Sequence, residues 1–77
     1  MILPSEVYVR NGYERVSGDK NIDWAGNPFD LGLTSLMIVE LCNILSDQLK
    51  VDIDPDGLIL AATMQDFVTY VDSRRSR

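Results

Sequence analysis

Histidine is absent from the 77 residues, and cysteine and tryptophan occur once each, as Cys42 and Trp24. Without histidine the Ser/His and Cys/His pairs of hydrolases and the usual zinc sites cannot be assembled, and one cysteine closes no internal disulfide. Basic residues are also scarce, seven against twelve acids, for a net charge of −5. Phosphate-backbone binding needs Lys and Arg clustered on a folded face, so no nucleic-acid partner is expected, and the acidity points instead to basic protein partners. No run of about 18 apolar residues is long enough to span a membrane. Met1, Ile2 and Leu3, followed by Pro4 and Glu6, lack the regions of a secretory signal, so the chain is read as cytoplasmic. A chain this short buries only about 60–65% of its unfolded surface, which allows one small core and no deep cleft between layers. An autonomous enzyme is not expected.

What is present is unevenly distributed. Residues 1–18 balance in charge, residues 19–72 hold ten acids against Lys20 and Lys50, and the end carries Arg74, Arg75 and Arg77. The length allows a single domain, so residues 1–77 are read as one domain, a monomer, with residues 72–77 as a flexible basic tail.

Residues 5–17 carry Val9, Tyr13 and Val16 at helical spacing, which predicts a first helix despite Gly12, a residue that costs about 1 kcal/mol relative to Ala in a helix interior. Gly18, Gly26, Asn27, Pro28 and Gly32 then punctuate a long structured loop, with Ile22, Trp24, Phe29 and Leu31 as anchors. From Ser35 to Leu49 the apolar residues recur three and four apart, predicting the strongest helix, with the Thr34 hydroxyl as its N-cap. Asp54 before Pro55 opens a short third helix through about Ala61, and Thr63 ahead of Asp66 opens a fourth. The expected fold is all-α: a small four-helix bundle with a long loop between the first two helices and a short third helix.

Residues placed about 100° apart around the second helix put Met37, Ile38, Leu41, Cys42, Ile44, Leu45 and Leu49 on one broad apolar side. Glu40, Asn43, Ser46, Asp47 and Lys50 take the other side, together with two apolar residues, Leu36 and Val39. An exposed apolar pair beside Ser35 at a helix N-terminus resembles a docking surface around a modified hydroxyl, although both residues could equally pack on the preceding loop. Amide groups and the positive dipole end favour a phosphate there. With neither histidine nor a nearby lysine to activate it, Ser35 needs another protein to act on it.

The consecutive residues Phe29, Asp30, Leu31, Gly32, Leu33, Thr34, Ser35, Leu36, Met37, Ile38, Val39, Glu40 and Leu41 closely resemble the signature of acyl and peptidyl carrier domains. The likeness extends over residues 26–71, through Val51, Asp52, Ile53, Asp54 and Pro55 and on to the stretch from Thr63 to Val71. It is weaker over the first helix. The resemblance implies that Ser35 takes a phosphopantetheine arm from coenzyme A through a phosphopantetheinyl transferase. The arm would hold an acyl or aminoacyl group as a thioester, and Thr34, Leu36, Val39, Glu40, Asn43 and Asp47 would meet the loading enzyme, synthases, transferases or tailoring enzymes. It also implies a non-catalytic carrier, here read as a discrete protein of polyketide or nonribosomal-peptide biosynthesis, from Leu36 and Met37 after the serine and residues 29–33 before it. Two positions depart from the family pattern: Thr34 stands where Asp is usual, and Asn43 where a long apolar residue is frequent.

Two other readings compete. A carrier-like helical adaptor would use Leu36 and Val39 for protein binding without loading a cofactor, and Thr34 keeps that alternative open. Asp52, Asp54, Asp56 and Gly57 match the opening of a calcium loop, but Thr63 stands at its twelfth position, where a bidentate Glu is required, and Pro55 lies inside it. No metal site is expected. Cys42 is read as a small buried apolar residue, and Tyr13 and Tyr70 as core residues with a polar tip.

Overall fold

The computed structural model describes residues 3–75 and is all-helical, with no strand among them: α1 (Ser5–Ser17), α2 (Ser35–Leu49), α3 (Pro55–Ile59) and α4 (Met64–Arg75). α1 packs on α2 and α4, and the short α3 bridges α2 and α4. One core joins them, in which Val9, Ile38, Leu41, Leu45, Leu58 and Phe67 are wholly buried.

Local chemistry explains the helix ends. The Thr34 hydroxyl accepts from the Met37 amide at 3.2 Å, and the Asp54 carboxylate accepts from the Asp56 amide at 2.9 Å ahead of Pro55. Thr63 Oγ1 accepts from the Asp66 amide at 3.1 Å at the start of α4. α1 closes at Gly18, whose left-handed φ of 77° lets its amide reach the Glu14 carbonyl.

Gly12 has a purpose that helix propensity does not reveal. A Cβ at that position would stand 2.6 Å from Leu41 Cδ1, so the glycine is what lets α1 lie close against α2.

The loop between α1 and α2 is built from repeated side-chain turns. The side-chain oxygens of Asp19, Asp23 and Asn27 each accept from the amide two residues on. Pro28 is fully buried and Trp24 and Ile22 pack against the core. The carbonyls of Trp24 and Gly26 accept from the amides of Gln65 and Met64, both at 2.9 Å. The loop therefore satisfies two amides that α4 cannot bond internally.

Three expectations are corrected. α3 ends at Ile59, two residues early, because Leu60 caps it and the chain bends towards α4. Ser46 is half-buried: its hydroxyl accepts from the Ile53 amide at 2.9 Å, since the α2–α3 connection folds back over the end of α2. The tail expected from residue 72 is helical as far as Arg75. Arg74 donates to the Asp52 carbonyl at 3.0 Å, and Arg75 donates to Ser5 Oγ at 2.9 Å while lying over the Tyr8 ring. These contacts hold the end of α4 against α1 and the α2–α3 turn; residues 76 and 77 lie outside the described residues.

Candidate functional site

α2 begins immediately after the buried Leu33, and Thr34 turns the chain from extended backbone into the helix. The first helical bond runs from the Ile38 amide to the Thr34 carbonyl at 2.9 Å, so the amides of Ser35 and Leu36 precede it. No acidic side chain lies in the first turn. Ser35 is exposed, and among the described residues no hydrogen bond holds its hydroxyl.

Beside it the surface is apolar. Leu36 is 68% exposed and Val39 41%, so the preceding loop buries neither of them. Glu40, Asn43 and Asp47 are exposed along the same helix, whereas Met37 is half-buried and Ile38, Leu41, Cys42 and Leu45 face the core. Farther along, Arg15, Asn43, Ile44, Asp47 and Gln48 line a polar recess of about 280 Å³ between α1 and α2. Phe29, expected as a loop anchor, is 47% exposed.

The other singled-out residues lie away from Ser35 or inside. Burial, with the Asp54 carboxylate adding to it, pushes the Cys42 thiol up to about 12, so it is protonated and unreactive at neutral pH. Tyr13 is in the core, and the Tyr70 hydroxyl accepts from the Asp54 amide at 2.9 Å. Among the described residues no group of three His, Cys, Asp or Glu side chains is arranged to hold a metal; the Asp54 carboxylate serves as a helix cap instead.

The geometry defines a class: a small helical bundle presenting one unencumbered hydroxyl at a helix N-terminus, beside two exposed apolar side chains, with no histidine to act as its base. The family described as "Phosphopantetheine attachment site" matches residues 8–71, and the chain belongs to this family of carrier domains, which hold phosphopantetheine covalently and tether cargo rather than transform it. No curated protein matches the chain significantly in sequence. The donor set fits such a group, because exposed oxygen and unbonded amides at a helix start suit a phosphodiester. No helix among the described residues is long and apolar enough to cross a membrane.

Sequence reasoning missed one exposed feature. Ile59 and Leu60, which fall in the short apolar segment expected to form the third helix, are 43% and 83% exposed. Strong apolar clustering in residues 58–61 hid the difference, since Leu58 and Ala61 of the same stretch are buried.

Proposed function

We propose that Ser35 is the residue that receives the phosphopantetheine arm, and that the protein tethers acyl or aminoacyl intermediates on it as thioesters in polyketide or nonribosomal-peptide assembly. The observation that carries this reading is the free hydroxyl of Ser35 at the start of α2, inside the stretch matched by the carrier family. Ser35 Oγ would form a new P–O bond to the phosphorus bearing pantetheine while the pyrophosphate P–O bond of coenzyme A breaks and 3′,5′-ADP leaves. The hydroxyl proton passes to a base of the transferase, because the chain has no histidine. Leu36 and Val39 supply the apolar contact for transferase, loading enzyme and synthase, and Thr34, Glu40, Asn43 and Asp47 set register and encounter rate around them. The terminal thiol of the bound arm supplies the thioester chemistry. No residue of the chain itself catalyses a step in this reading.

Thr34 keeps the capping oxygen but not the charge usual in the family, which favours a transferase that does not depend on that carboxylate. The test is intact mass after incubation with coenzyme A and a broad-specificity phosphopantetheinyl transferase. One arm per chain is expected for the wild type and none for Ser35→Ala. Absence of loading even with a transferase of the same pathway would overturn the assignment. Offering the loaded protein to a malonyl transferase and to amino-acid adenylating enzymes separates the polyketide from the peptide setting.

A further inference from the structure

α3 and α4 border a second surface feature, an open groove of about 380 Å³ whose lining does not include Ser35 or any other residue of α2. Its lining includes the Tyr70 ring, the Gly57 backbone and Leu60, with Asp54, Asp56 and Asp66 around them. Leu60 is 83% exposed, the most exposed large apolar residue among those described. Tyr70 is firmly held: it stacks on Phe67 with centroids 6.2 Å apart, and its hydroxyl accepts from the Asp54 amide. Gly57 lies so close that a Cβ there would overlap the ring, so a small residue is what keeps α3 seated on Tyr70.

The charged residues lining this groove are all acidic, and among the described residues none of them is in an ion pair. Between Lys50 and Arg74 the chain has five acids and no basic residue. The ion pair seen among the described residues joins Arg10 and Glu6, on α1. Arg74 and Arg75, the nearest cations following in sequence, are turned to the Asp52 carbonyl and to Ser5 and Tyr8. An apolar side chain standing in solvent inside an anionic ring, with no ion pair to those aspartates among the described residues, is complementary to an apolar anchor flanked by Lys or Arg.

We propose that the α3–α4 groove is a second docking surface, separate from the face around Ser35, and that its occupant is a basic amphipathic helix of a partner protein. An apolar side chain of that helix packs on Leu60 and Tyr70, and its cations face Asp54, Asp56 and Asp66. Another copy of this chain is a poor fit, because two molecules of charge −5 repel and the described arginines nearest in sequence are already engaged.

The proposal stands independently of arm loading, and the test is run on the unloaded full chain. The ¹⁵N-labelled protein is titrated with a synthetic amphipathic helix of leucine and lysine, and separately with its leucine and glutamate counterpart. Saturable shifts confined to residues 54–61 and 66–70 are expected with the lysine peptide only. Affinity should fall at least about tenfold in Leu60→Ser, and by a similar factor in the exposed double variant Asp56→Asn/Asp66→Asn, while Leu36→Ser leaves it unchanged. Arm loading of Leu60→Ser, measured by mass, should equal that of the wild type and shows that the variant is folded. Shifts centred on Leu36 and Val39, equal binding of the glutamate peptide, or concentration-dependent self-association abolished by Leu60→Ser would each overturn the proposal.

Discussion

The two exposed apolar surfaces of this small bundle are built differently. Around Ser35 the apolar residues Leu36 and Val39 sit on a long, well-capped helix with two carboxylates, Glu40 and Asp47, farther along it. At the α3–α4 groove a single exposed Leu60 follows a five-residue helix and is surrounded by three aspartates. The first surface is specified locally, because α2 would present those residues wherever it packed. The second exists only because α3 is pressed onto Tyr70. The same net acidity is therefore dilute on one surface and concentrated on the other, and the two should respond to different partners and to salt in different degrees.

The sharpest way to break this comparison is chemical. Ser35→Ala should remove arm loading completely, read as intact mass, while Leu60→Ser leaves it intact; loss in a Leu60→Ser variant that keeps its helical circular dichroism and cooperative unfolding would mean that the transferase reads the groove as well. Next in size is the buried thiol of α2. Cys42 should react with iodoacetamide orders of magnitude more slowly in the folded protein than in urea, because its pKa is pushed from 9.0 to about 12 and it is wholly buried. The folded thiol holds its proton more tightly than the unfolded one. Its contribution to stability is thus fully present below pH 9 and is lost as pH rises towards about 12. Asp54→Asn should lower that pKa, since the carboxylate at the groove is its second cause, which would tie the two regions through one measurable group.

Gly57→Ala should cost about 1–3 kcal/mol in urea unfolding, because the added methyl overlaps the Tyr70 ring and cannot be accommodated without moving α3. The effect belongs to the groove alone, so arm loading should survive at temperatures where the variant remains folded. The smallest changes concern the cap of α2. Thr34→Ala should destabilise by about 1 kcal/mol through loss of the hydrogen bond to the Met37 amide. Thr34→Asp should instead match or exceed the wild type by a few tenths of a kcal/mol, since a carboxylate suits a helix N-terminus. It should also quicken loading by a broad-specificity transferase; an unchanged rate would show that the charge at this position is not read.

Much of this was legible from short-range pattern. The apolar spacing of α2, the hydroxyl of Thr34, the Asp54 and Pro55 pair and the Thr63 hydroxyl mark helix starts where the structure has them, because capping and periodicity act within a few residues. The exposure of Leu36 and Val39 also followed from helix geometry, once the loop was seen not to cover them. Other features were hidden for an equally physical reason. The helical cost of Gly12 was visible, but the compensating approach of Leu41 joins residues 29 positions apart. The basic end looked like a solvated tail until Arg75 met Ser5, at the far end of the chain. The acids of the α1–α2 loop counted as partner charge in the composition, yet Asp19 and Asp23 bond their own backbone.

The sequence by itself determined the number and starts of the helices, the family, and the placing of one serine at the head of an amphipathic helix. Each depends on neighbours within one or two turns or on a contiguous motif. Tertiary structure alone decided that loop carbonyls cap α4, that Ser46 turns inward, and that Leu60 is left in solvent within an anionic groove. Those outcomes rest on which distant segments meet, as Gly57 meets Tyr70 and Trp24 meets Gln65. Local propensity is silent on that, because it is fixed only when the core closes.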